Sequence, residues 1–97
     1  KINKVKIKPG MVLSNEPGYY KKNHFGIRIE NLVYVDKKNG KLFFKNLTMA
    51  PIEKDLINFD LLTHSEKNYL FKYHLDVYSK ISKYLKQSEK KWLASLI

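Results

Sequence analysis

Between Phe25 and Val35 the apolar side chains fall on odd positions: Phe25, Ile27, Ile29, Val33 and Val35. A period of two is that of a strand with one face toward a core, whereas a helix of the same sequence would scatter these side chains around its axis. Turn signals bound the stretch on both sides. Lys21 to His24, centred near Asn23, is polar, and so is Asp36 to Gly40. Upstream, residues 11–16 read as a strand stopped by Pro17-Gly18. Pro9-Gly10 marks the turn before it, and residues 2–8, with Ile2, Val5 and Ile7 apolar, alternate loosely as an edge strand does. Residues 41–50 read as a further strand. The front of the chain is therefore predicted to be an antiparallel meander.

The period changes at Thr63. Thr63 and Glu66 form a Thr-x-x-Glu capping box, in which hydroxyl and carboxylate each satisfy an orphan backbone N–H. Beyond it Leu70, His74, Val77, Tyr78, Ile81 and Leu85 follow three- and four-residue steps, which puts them on one helix face. Ser88 reads as the N-cap of a final short helix bearing Trp92, Leu93 and Leu96. Tyr69, Phe71, Tyr73, Tyr78 and Tyr84 surround the long helix as packing aromatics. The predicted fold class is α+β: an antiparallel β meander followed by C-terminal helices. Residues 1–62 form the β-rich part and residues 63–97 the helical tail.

Composition narrows what such a chain can do. Its 97 residues allow one domain or part of one, and the lack of an initiator methionine favours a piece of something longer. There is no cysteine, so a disulfide framework and a thiolate metal site are excluded, and a reducing, cytoplasmic location fits. No apolar run approaches the roughly 20 residues of a membrane span, and "KINKVKIK" has no signal-peptide core. The formal charge is +10, yet all but one of the 19 basic residues are lysine, scattered from Lys1 to Lys91. Arginine is the better residue for bidentate contacts to phosphate and guanine. The charge reads as a solvated lysine-rich surface and argues against nucleic acid or a membrane as partner.

The hairpin from Ser14 to Val35 carries Glu16, Glu30 and the single arginine, Arg28. A turn centred near Asn23 pairs Glu16 with Glu30, Gly18 with Arg28 and Tyr20 with Gly26, provided that Pro17-Gly18 does not introduce a bulge. Even-numbered positions then share a face, so both carboxylates and Arg28 line it while Phe25, Ile27 and Ile29 line the other. Like charges directly opposite each other destabilise a sheet. If that face is buried, one carboxylate keeps its proton or a cation sits between the two. A hard divalent ion such as Mn²⁺ or Mg²⁺ answers this. A solvated face on which the side chains splay apart answers it as well, and the spacing leaves both readings open.

"PGMVLSNEPGYY" followed by "FGIRIENLVYV" resembles the signature of aminopeptidase P (Xaa-Pro aminopeptidase), in the pita-bread metallopeptidase family M24. The resemblance continues through "LTMAPIEKDLI", "LLT" with Glu66 behind it, and Tyr73-His74, the tail of the aminopeptidase P branch. It implies a centre of two divalent metal ions, usually manganese, held by two aspartates, one histidine and two glutamates. The centre hydrolyses the N-terminal peptide bond of substrates with proline in second position. By motif match Glu16 resembles the glutamate that ligates one metal and shuttles the proton, and Glu30 the glutamate that bridges both. Arg28 and Tyr20 match positions that orient the ligands. The other three ligands are expected upstream of Lys1, since His24, His64 and His74 do not match the ligand histidine. The chain alone is thus expected to be inactive. The tail departs from the family pattern in having Tyr69-Leu70-Phe71 where Trp-Leu-Asn is usual. The resemblance leaves a homo-oligomer open. It also leaves open a non-catalytic pita-bread relative, or gene remnant, serving as an interaction module, against which the retention of both glutamates argues.

Overall fold

The computed structural model describes residues 3–97; Lys1 and Ile2, and with them the start of the expected edge strand, lie outside the described residues. Five strands come first: β1 (Val12–Asn15), β2 (Gly18–Lys21), β3 (Phe25–Arg28), β4 (Asn31–Lys38) and β5 (Lys41–Asn46). Two α-helices follow, α1 (His64–Ile81) and α2 (Gln87–Ser95), with short 3-10 turns at Lys54–Leu56, Phe59–Leu61 and Ser82–Tyr84. The order is that of the predicted α+β chain. Two compact units contain these elements, one ending at Thr48 and the other running from Met49 to Ile97.

In the first unit β1, β4 and β5 form one antiparallel sheet in the order β1-β4-β5, and β2 and β3 form a separate ribbon. A single register runs through both. Val12 faces Tyr34 and Asn15 faces Asn31; beyond the break Gly18 faces Arg28, Tyr20 faces Gly26 and Lys21 faces Phe25. Across the break the Ile29 N–H donates to the Pro17 carbonyl at 3.1 Å, so no bulge shifts the pairing. Pro17 has no N–H to return, and the ladder is interrupted there. The strand expected over 25–35 is accordingly two strands, parted at Ile29 and Glu30, and its partner is parted at Glu16 and Pro17.

Other boundaries shift for local reasons. Residues 3–8 form no strand, although their pattern alternates. The Val5 N–H turns to the Asn3 side chain (3.0 Å), a local bond of the kind that competes with a ladder. β5 ends at Asn46 rather than near residue 50, because the Thr48 hydroxyl takes over as acceptor for the Leu32 N–H at 2.8 Å. The turn expected over Asp36 to Gly40 contracts to Asn39-Gly40. Both residues have positive φ (51° and 76°), as a two-residue hairpin turn requires, and β4 therefore extends to Lys38. Val35, 2% exposed, is the buried residue of this unit among the described residues.

One close approach explains two glycines. The Tyr20 ring lies against the backbone of Gly18 and Gly26: a Cβ on Gly26 would stand 2.5 Å from its Cδ1, and one on Gly18 2.8 Å from its Cε2. Only glycine lets the ring settle across the hairpin.

In the second unit the capping box forms as predicted. The Thr63 N–H and hydroxyl both donate to Glu66 at 2.8 Å, and the Glu66 N–H donates back to the Thr63 hydroxyl at 3.3 Å. These bonds, the backbone one first, hold the Glu66 carboxyl below its ordinary pKa. Helix α1 buries Tyr73, His74 and Val77, and half-buries Leu70, Tyr78 and Ile81, so the expected face is the inward one with Tyr73 added to it. Ser88 is not the N-cap of α2. Lys86 holds that position, its N–H donating to the Glu89 carboxylate at 2.7 Å, and Ser88 lies within the first turn. The Glu89 carboxylate satisfies the N–H of the cap residue itself, the half of a capping box that does not need a hydroxyl. Leu93 is buried, whereas Trp92 remains exposed.

Residues 50–52 are pinned to α1 by two side chains. The Tyr73 hydroxyl donates to the Ala50 carbonyl at 2.6 Å, and the Ile52 N–H donates to His74 Nε2 at 3.0 Å. Pro51 between them has no N–H, so the two bonds use the polar groups flanking it. Nε2 must be unprotonated to accept, and burial lowers the pKa of His74 below 6.5.

Two tests follow from these contacts. Gly26→Ala should cost about 1–3 kcal/mol by overpacking against Tyr20, and much less in a Tyr20→Ala background, as a urea-unfolding double-mutant cycle reads directly. For His74, the unfolded chain takes up a proton more readily than the folded one, so stability is full above pH 6.5 and declines as the pH falls below it. Thermal melts from pH 8 to 5 should show that decline, and His74→Gln, which offers an acceptor that does not titrate, should flatten it.

Candidate metal centre

The shared register brings Glu16 and Glu30 opposite each other. Asn15 pairs with Asn31 on one side of them and Pro17 bonds Ile29 on the other, so the two glutamates face across the gap in the ladder. Both lie on the even-numbered face, together with Ser14, Tyr20 and Arg28. Hydrogen bonds bear this out for all but Glu30. Arg28 Nη1 donates to Glu16 Oε2 at 3.0 Å, and Arg28 Nε donates to the Tyr20 hydroxyl at 2.8 Å. The Ser14 hydroxyl donates to Glu16 Oε1 at 2.8 Å. Each oxygen of Glu16 thus has one protein donor. Glu30 has no hydrogen-bond partner among the described residues, which leaves both its oxygens open.

Electrostatics favour a fixed cation beside the carboxylates. The Arg28 pKa is raised above its ordinary value, first by the bond to Tyr20 and then by the charges on the same face, Glu16 more than Glu30. Its guanidinium also lies 5.8 Å from the centre of the Tyr20 ring. The side chains of Arg28 and Glu16 are 52% and 39% exposed, so water screens this ion pair and its role is orientation more than stability.

Glu16, Glu30, Arg28 and Tyr20, all singled out from the sequence, are therefore brought to one face. His24 does not join them. It sits in the hairpin turn with Nδ1 bonded to the Lys22 carbonyl at 2.8 Å. His64 opens α1 and His74 is committed to Ile52, and both belong to the second unit. Two facing carboxylates suit a hard divalent ion, but among the described residues no group of three or more His, Asp or Glu could hold one. The donor set fits part of a metal centre. Sequence reasoning passed over Ser14, although its place two residues before Glu16 on the same strand puts both side chains on one face.

Comparison with known proteins gives these features a context. The profile of metallopeptidase family M24 matches residues 1–37, and that of the C-terminal region of peptidase M24 matches residues 40–96. A protein of Laccaria bicolor named "Probable Xaa-Pro aminopeptidase P" is 43% identical over 93 residues, covering 88% of this chain and 14% of its own length. One of the same name from Sclerotinia sclerotiorum is 43% identical over 95 residues, covering 90% of this chain and 16% of its own. Among solved structures, the X-prolyl aminopeptidase of Caenorhabditis elegans, described as a cytosolic enzyme with a di-nuclear active site, superposes with a TM-score of 0.81 at 36% identity. The match covers 93% of this chain and 16% of that one. With the hairpin and the helical tail each matched by its own part of the family pattern, the chain belongs to metallopeptidase family M24 and is similar, within it, to the Xaa-Pro aminopeptidases.

Proposed function

We propose that the chain is the C-terminal part of the catalytic domain of an Xaa-Pro aminopeptidase and supplies Glu16 and Glu30 to its metal centre. The observation that carries this reading is the pair of carboxylates facing across the ladder gap, one gripped by Arg28 and the other without a hydrogen-bond partner among the described residues. Glu30, which has no hydrogen-bond partner among the described residues, would bridge two divalent ions, manganese in the first instance, and Glu16 would hold one of them. When bound, the ions supply a water deprotonated near neutral pH and polarise the scissile carbonyl. Glu16 also carries the proton between water and leaving amine. The guanidinium against Oε2 helps set the plane of that carboxylate. Arg28 and Tyr20 hold that orientation, and the flat guanidinium suits the task because it reaches Glu16 and Tyr20 at once.

Two carboxylates make an incomplete centre, so further ligands from outside these residues are needed, and the 97-residue chain by itself is expected to be inactive. The substrates are peptides with proline in second position, cleaved in the cytosol.

In the full-length protein, Glu30→Gln should abolish hydrolysis of an Xaa-Pro tripeptide and lower the manganese content, because a neutral amide bridges two cations poorly. Retained turnover would sink this reading. Arg28→Lys keeps the charge but cannot reach both partners, and its kcat/KM should fall on the order of 10–100-fold with the fold intact.

A further inference from the structure

We propose that Ser14 is a positioning residue for Glu16, its hydroxyl fixing the carboxylate plane before a metal ion arrives; the inference rests on the reading of Glu16 as a metal ligand. Glu16 lies where the ladder is broken, on the two-residue link between β1 and β2, so its own backbone is not held by strand pairing. A single bond from Arg28 to Oε2 would leave the carboxylate free to swing about that contact. The Ser14 hydroxyl on Oε1 (2.8 Å) closes the second point of a two-point grip.

The two donors come from opposite sides of the break. Arg28 is on β3 of the ribbon, paired with Gly18. Ser14 is on β1, paired with Leu32 of the three-stranded sheet, and Leu32 is tied in turn by its N–H to the Thr48 hydroxyl (2.8 Å) and by its carbonyl to the Leu47 N–H (2.8 Å). Glu16 is thereby fixed against both parts of the hairpin. The chemistry of the donor matters as much as its place. Each carboxylate oxygen has two lone pairs, and Ser14 and Arg28 take one apiece, leaving one on each oxygen for a ligand. A hydroxyl also adds no charge, so it steadies the carboxylate without repelling a cation as a second guanidinium or ammonium would.

The test uses the full-length protein stripped of metal and titrated calorimetrically with MnCl₂, as wild type, Ser14→Ala, Ser14→Thr and Glu16→Gln. Loss of a group that orients a ligand should weaken Mn²⁺ binding about 10–100-fold in Ser14→Ala. Ser14→Thr, which keeps the hydroxyl on a residue suited to a strand, should restore it. The melting temperature of the metal-free protein should be the same in wild type, Ser14→Ala and Ser14→Thr. Unchanged Mn²⁺ affinity in Ser14→Ala, failure of threonine to rescue, or an equal drop in metal-free melting temperature for both Ser14 variants would each overturn the inference. The two levels separate cleanly. If Glu16→Gln abolishes binding while Ser14→Ala does not, the role of Ser14 alone falls. If Glu16→Gln binds as wild type, or wild type binds no Mn²⁺, the reading of Glu16 as a ligand falls and takes Ser14 with it.

Discussion

Pro17 interrupts the long hairpin without shifting it, and the candidate site depends on that combination. A one-residue slip at the break would send every side chain beyond it to the opposite face. Arg28 and Tyr20 would then point away from Glu16, and the odd-numbered apolar side chains of β3 would take their place. The bond from the Ile29 N–H to the Pro17 carbonyl keeps the two strands in step where proline withholds its own donor. Glu16 and Glu30 fall in the stretch that this leaves unpaired. The same proline thus creates the gap and, through its carbonyl, the registration across it.

Around the gap the side chains form a chain of holds. Gly18 and Gly26 clear the space in which the Tyr20 ring lies, the Tyr20 hydroxyl receives Arg28 Nε, and Arg28 Nη1 reaches Glu16. Two carboxylates on facing positions repel, and one guanidinium offsets only part of that charge. While the face is in water, screening makes the repulsion tolerable. A bound divalent ion would convert the same repulsion into a reason to bind, which is why the unequal partnering of the two glutamates among the described residues, one gripped and one without a hydrogen bond, carries more weight than their proximity.

Much of this was legible in the sequence, and the exceptions share a cause. The register followed from the polar turn near Asn23 together with the period of two, both local signals, and the even-numbered face followed from the register. What escaped was set by partners that a pattern does not name. Residues 3–8 alternate as a strand does, but alternation states only compatibility, and the Asn3 side chain claimed the Val5 N–H. The parting of the 25–35 strand was imposed by proline in the neighbouring strand. Ser88 has the side chain of an N-cap, yet the helix starts two residues earlier, where Glu89 reaches back to the Lys86 N–H. Ser14 was visible by spacing, but only the hydrogen bond shows that its hydroxyl engages Glu16.

The second unit shows why a motif residue need not be a chemical one. Histidine in a peptidase signature invites a catalytic role, but His74 is buried, and the nitrogen that could act as a base already accepts the Ile52 N–H. With Tyr73 on the Ala50 carbonyl, it fastens the segment around Pro51, and a protonated ring could not do so. The departures from the family pattern respect that task. Tyr69 and Phe71 stand where tryptophan and asparagine are usual, and both are largely exposed, at 65% and 64%. Tyr69 still stacks on Tyr73, with ring centres 6.5 Å apart. Tyr69 and Phe71 lie on the exposed side of α1, while Tyr73 and His74 do the pinning of residues 50–52.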